Sequence, residues 1–205
     1  GIRVSVLGFG AWQIGDSRYW GDDAESDAQA AVDAALDAGI NFFDTAEVYG
    51  DGASEEALGK ALGARRDEVV IASKVAPEHC APDKLIAACE GSLRRLGTDY
   101  IDLYQVHWPF REPSFEEAYG ALDRLRHEGK IRAIGVSNFG RRDLTDWLAI
   151  GDAASNFIPA GVIVGRDLSH IEPIDLRDPA QVQEFVAHSW YDYAGGKAQG
   201  LHPHA

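Results

Sequence analysis

Three observations predict an α/β fold built as a parallel sheet covered by helices. The hydrophobic period switches repeatedly between strand-like and helix-like from residue 1 to about 150. The strand-like runs are short and rich in Val and Ile, as strands buried on both faces are. Polar residues collect at one end of these runs: Asp44, Lys74, His107, then Ser137 with Asn138.

The elements follow in order. "RVSVLGFGAW" reads as a strand entering a glycine-rich turn. "ESDAQAAVDAALDAG" places Ala28, Ala31, Val32, Ala35 and Leu36 on one helical face, with Gly39 as the stop. "INFFD" is a strand. "SEEALGKALG" is a helix with Ser54 as its expected cap, and Glu55 and Glu56 suit its first turn. "EVVIASKV" is a strand, and "PDKLIAACEGSLRRLG" a helix between Pro82 and Gly97. "YIDLYQVHW" is a strand. "SFEEAYGALDRLRHEG" carries a capping box, Ser114 with Glu117, and closes at Gly129. "IRAIGVSNF" is a strand and "RRDLTDWLAI" a helix.

Five β–α units in succession call for a parallel sheet. A doubly wound open sheet would show the same alternation. No G-x-G-x-x-G opens the first helix, which favours a (β/α) barrel, whose site lies at the carboxyl ends of its strands. After about residue 150 the rhythm stops. "NFIPAGVIVGRDLSHIEPIDL" reads as two short strands and turns. "DPAQVQEFVAHSW" reads as a helix with Asp178 as cap and Pro179 at its first position. "YDYAGGKAQGLHPHA" reads as a loop. The expected architecture is an incomplete (β/α)8 barrel of five to six β–α units, followed by a short irregular α+β tail.

The chain has 205 residues, enough for one good core and a second small unit. Its net charge of −14 argues against nucleic acid and against anionic lipid, both of which would repel it. No apolar run approaches the roughly 20 residues of a membrane span. No signal-peptide pattern opens the sequence, so a cytoplasmic location is expected. Two cysteines, Cys80 and Cys89, give no disulfide framework and no zinc-like spacing. Cys89 reads as helix packing and Cys80 as a loop thiol. The sequence contains no methionine, so a fragment or a processed piece is expected.

Asp44, Tyr49, Lys74 and His107 lie at or beyond strand tips and could meet. Phe42 and Asp44 share a strand face, as do Ala72 and Lys74, and Gln105 and His107. A phenol near its ordinary pKa of about 10 donates protons poorly at neutral pH. An ammonium beside Tyr49 would favour the phenolate and make the phenol a usable general acid. Asp44 would hold Lys74 charged and in place. His107 could orient a carbonyl or relay the proton. None of these groups supplies a hydride, so a cofactor must. Taken singly, each has a structural reading: a cap, a packed ring, an ion pair, a core histidine.

The order and spacing of "NFFDTAEVYG", "SEEALGKAL", "ASKV", "LGTDYIDLYQVHWP" and "GKIRAIGVSNF" resemble the N-terminal half of an aldo-keto reductase. The resemblance covers residues 1 to about 156. It implies a TIM barrel, reduction of small aldehydes or ketones, and a nicotinamide cofactor, usually NADPH. Carried over, Tyr49 is the proton donor, Lys74 and Asp44 tune it, and His107 completes the tetrad. Ser137 and Asn138 match the family's contact to the nicotinamide carboxamide, as Asp44 lies at its cofactor side. Trp12 and Trp108 stand where aromatic residues line the substrate mouth, with barrel-end packing as their structural alternative.

Phe157 stands where the family places a glutamine under the nicotinamide. Residues 157–205 instead resemble an internal stretch of the nickel–iron hydrogenase large subunit, through "EFVAHSWYDY" and "GLHP". The Cys-x-x-Cys pairs of that family are absent, so no nickel site and no metal are expected. His188, His202 and His204 read as a solvated tail. Two units are therefore expected, 1–156 and 157–205, in a chimera joined near Asn156. The missing half of the barrel implies weak NADPH binding and open sheet edges that favour self-association. The first functional reading is an NAD(P)H-dependent carbonyl oxidoreductase. The second is a non-catalytic truncated or chimeric fragment serving as an interaction module, and a weaker third is a hydrogenase-related protein.

Overall fold

The computed structural model describes residues 2–16 and 28–150. Among the described residues, five strands form a parallel sheet in chain order: β1 (Gly8–Gly10), β2 (Phe42–Asp44), β3 (Val70–Val75), β4 (Ile101–Val106) and β5 (Ile131–Val136). The helices between and after them are α1 (Ala28–Asp37), α2 (Ala53–Leu62), α3 (Pro82–Leu96), α4 (Phe115–His127) and α5 (Arg141–Leu148). This is the arrangement that five consecutive units of a (β/α) barrel make. Among the described residues, β1 and β5 each pair on one side only. No helix there is long and apolar enough to cross a membrane.

The sheet has two unlike faces. Phe43, Ile71, Tyr104, Val106, Ile134 and Val136 join the helices in one apolar core with Val32, Leu58, Leu85, Leu122, Leu125 and Trp147. Ala72, Leu103 and Ala133 form a smaller cluster with the partly buried Ile2 and Phe42. In register, Asp44 stands beside Ala72, and Lys74 beside Gln105 and Gln105 beside Gly135. Alternation along a strand therefore carries Asp44, Lys74 and Gln105 on the face of the smaller cluster.

Local chemistry stops the helices where expected. Gly39 (φ 77°) and Gly97 (φ 65°) take the left-handed backbone that ends α1 and α3. The Ser114 side chain accepts from the Glu117 N–H, and the Glu117 carboxylate accepts from the Ser114 N–H. Both cysteines are buried, and burial pushes each thiol up to about 12, so neither is reactive.

Two expectations need correction. The first strand is only Gly8–Gly10, and Val4, Val6 and Leu7 stay exposed. Three residues of β2 offer partners to no more than that. Ser54 is not the cap of α2; Gly52 (φ 95°) occupies that place, and Ser54 turns inward. Its hydroxyl donates to the Ala11 carbonyl at 2.5 Å and bonds the Thr45 hydroxyl at 2.9 Å. Residues 151–205, with Phe157, His188, His202, His204, Asp178 and the expected tail elements, lie outside the described residues.

Candidate active site

The carboxyl ends of the strands bring the expected residues together. Asp44 is the last residue of β2 and Lys74 the fifth of β3. The Lys74 Nζ lies 2.5 Å from Asp44 Oδ1 and donates to the Thr45 carbonyl at 2.9 Å. Its third donor direction meets the Tyr49 phenolic oxygen at 3.4 Å, with Nζ 4.9 Å from the ring centroid. Lys74 is 3% exposed and Asp44 5%, so this ammonium is screened from water and, among the described residues, these partners satisfy it. Because the phenolic oxygen accepts from Lys74, the phenol's own proton is free to point at another oxygen.

The loop between β2 and α2 explains how Tyr49 gets there. Thr45 N–H donates to the Ala72 carbonyl and Glu47 N–H to the Lys74 carbonyl, at 2.9 and 3.3 Å. The chain thus runs on along β3 before turning. "YGDG" then turns sharply, with Gly50 at φ 61°, Asp51 at φ 54° and Gly52 at φ 95°. The positive φ of Gly52 favours glycine, and a Cβ there would also stand 2.4 Å from Arg95 Cδ. The Thr45–Ser54 bond closes the loop at its base.

His107 follows β4, held by its N–H to the Val75 carbonyl at 3.0 Å. Its ring meets Tyr49 edge-on at 5.6 Å and stacks on Trp108 at 3.5 Å. Burial, then the charge of Lys74, push the imidazole down to about 3. At neutral pH it is therefore uncharged. Among the described residues, its Nδ1 has no hydrogen-bond partner, nor has Asp44 Oδ2, nor either amide atom of Gln105. Such buried orphans next to one ammonium mark a place prepared for a polar guest.

Ser137 and Asn138 follow β5. Asn138 adopts φ 59°, and its Nδ2 donates to the His107 carbonyl at 2.9 Å and to Ser137 Oγ at 3.0 Å. Trp12, in the turn after β1, stacks on Tyr49 at 5.6 Å, and Trp108 is 41% exposed. All eight residues singled out in the sequence stand on one rim. Among the described residues, no group of three or more His, Cys, Asp and Glu could hold a metal ion.

Sequence reasoning missed the residues that brace this rim. Glu55 is fully buried, and its carboxylate accepts from Ser73 Oγ and, at 2.7 Å, from Arg95 Nε. The helical spacing of Glu55 with Leu58 and Leu62 held the signal. Asp16, 2% exposed, was missed as well: it accepts from Trp12 four residues back and from the Gly50 N–H 34 residues on, and only the second contact ties it to this loop.

Comparisons with known proteins fall on the same elements. The model of the aldo/keto reductase family matches residues 6–158. A nickel-dependent hydrogenase model matches residues 127–205, most of them outside the described residues. Aldo-keto reductase YhdN of Bacillus subtilis is 42% identical over 160 residues, which span 73% of this chain and 48% of that protein. Methylglyoxal reductase YeaE of Escherichia coli is 41% identical over 147 residues, 71% of this chain and 49% of that protein. The crystal structure of an aldo-keto reductase from Klebsiella pneumoniae in complex with NADPH superposes with a TM-score of 0.74 at 33% identity. That likeness covers 98% of this chain and 69% of the other. The chain spans about half the length of the curated relatives it matches. With five parallel β–α units, and a family match over every described strand, the chain belongs to the aldo/keto reductase family.

Proposed function

We propose that the rim reduces the carbonyl group of a small aldehyde or ketone at the expense of a nicotinamide cofactor. The observation that carries the reading is the Lys74 ammonium, pinned by Asp44 and within reach of the Tyr49 phenolic oxygen. Tyr49 holds the proton and gives it to the carbonyl oxygen. The Lys74 charge stabilises the phenolate that this leaves behind, and Asp44 keeps that charge in place. His107, uncharged, offers its ring to the substrate oxygen as an orienting partner. Trp12 and Trp108 wall the approach with aromatic surface.

The nicotinamide end of a cofactor fits the residues present. Ser137 and Asn138 stand beside His107 at the strand ends, where the Asn138 Nδ2 donates to the His107 carbonyl. They would hold the carboxamide, and a bound NADPH would supply the hydride that no side chain here can. The names of the relatives support this reading: a methylglyoxal reductase, and an aldo-keto reductase crystallised with NADPH. The division into units 1–156 and 157–205, and a cytoplasmic setting, belong to the same reading.

The half-length match favours a second reading, a non-catalytic fragment of the family. Titration of the purified chain with NADPH, followed by nicotinamide fluorescence, separates the two. Saturable binding supports the reductase. No binding at high concentration supports the fragment.

A further inference from the structure

Asp16 stands at the end of the turn after β1 and is 2% exposed. Its Oδ2 accepts from Trp12 Nε1 at 3.0 Å and from the Gly50 N–H at 3.1 Å. Both donors bear on Tyr49. Gly50 is the next residue in the chain, and the Trp12 rings stack on the phenol at 5.6 Å and 25°. The seating is close: a Cβ on Gly50 (φ 61°) would stand 3.1 Å from the Gly15 carbonyl oxygen and 3.2 Å from Asp16 Cα. Hydrogen bonds to a carboxylate are stronger than neutral ones and hold geometry well.

We propose that Asp16 is a positioning residue for Tyr49, gripping with one oxygen the peptide that follows the phenol and the indole that stacks on it. The proposal rests on Tyr49 being the proton donor and adds what aims it. A phenol 3.4 Å from Lys74 has little slack before that contact is lost. The two ends of the grip restrain different motions. The Gly50 bond fixes the loop, and the indole bond fixes the ring that covers the phenol.

The test is NMR on Asp16→Ala and Asp16→Asn, with the Tyr49 ring signals assigned by their loss in Tyr49→Phe. In the alanine variant the Gly50 amide should exchange about tenfold faster or more. The Tyr49 ring should also lose the ring-current displacement that Trp12 imposes. Asparagine, which still offers an acceptor oxygen, should restore part of both. Unchanged Gly50 exchange and unchanged Tyr49 signals in a folded alanine variant overturn the proposal. If the alanine variant does not fold, the wild-type chain decides. Slow exchange of both the Gly50 amide and the Trp12 indole proton supports the grip, and rapid exchange of either overturns it. None of these readouts needs cofactor or turnover. A chain that reduces no carbonyl would undo the proposed function and leave this measurement standing.

Discussion

The Lys74 ammonium and the Tyr49 phenolic oxygen stand 3.4 Å apart, although 25 residues separate them in the chain. One strand register and one glycine-pinned loop produce that approach. The same ammonium is bound by Asp44 in a place almost closed to water. Removing one partner of such a pair strands a buried charge. Asp44→Leu should therefore lower unfolding free energy by about 3–5 kcal/mol. Adding Lys74→Met should return part of that loss, because the pair is then replaced by apolar groups. Denaturant unfolding of both variants measures this.

His107 makes stability depend on pH. Its folded pKa of about 3 lies below the ordinary 6.5, because burial and then Lys74 disfavour the imidazolium. Between those two values the unfolded chain binds a proton that the folded chain refuses. Stability from this group is complete above 6.5 and falls as pH drops toward 3, by up to about 1.4 kcal/mol per pH unit. His107→Asn should flatten that part of the profile. Unfolding midpoints at about pH 8 and about pH 5 in both proteins check it.

At the amino ends of the strands, Asp102 is fully buried between two cations. Its Oδ2 accepts from Arg66 Nη2 at 2.7 Å and from the Ile71 N–H at 3.0 Å, and its Oδ1 from Arg132 Nη1 at 2.6 Å. Asp102→Ala leaves the Arg66 charge without its carboxylate and one backbone donor without a partner. It should cost about 3–5 kcal/mol. The loss should appear in thermal unfolding, with no change in cofactor fluorescence at temperatures where the variant is folded, since the rim lies at the other end of the sheet.

Gly59 lies inside α2, where alanine ordinarily stabilises a helix by about 0.5–1 kcal/mol. Here a Cβ would stand 2.4 Å from the Leu96 carbonyl oxygen, on the backbone of α3. Backbone cannot swing aside as a side chain can. Gly59→Ala should reverse the usual sign and destabilise by about 1–3 kcal/mol, measured by denaturant unfolding.

The strands and helices were legible because each carries local signals. β3 and β5 are short β-branched runs, and the Ser114–Glu117 box and Gly97 mark helix ends by chemistry contained within a few residues. Asp44, Lys74 and His107 were legible because polar residues ending apolar runs need a reason. What escaped depends on long-range contacts. Ser54 has the sequence of a cap, yet its partners lie on Ala11 and Thr45. Glu55 has the look of a solvated first turn, yet it meets Arg95 some 40 residues on. The first strand is shorter than its pattern, because Val4 and Val6 alternate like a strand while, among the described residues, nothing in the sheet receives them.

The most direct test of the account is aldehyde-dependent oxidation of NADPH by the wild-type chain and by Tyr49→Phe. Loss of a general acid lowers such rates by about 10²–10⁴-fold, and the variant should show that loss with its circular dichroism unchanged. Equal rates from the two proteins, or no aldehyde-dependent oxidation by the wild-type chain, would contradict it.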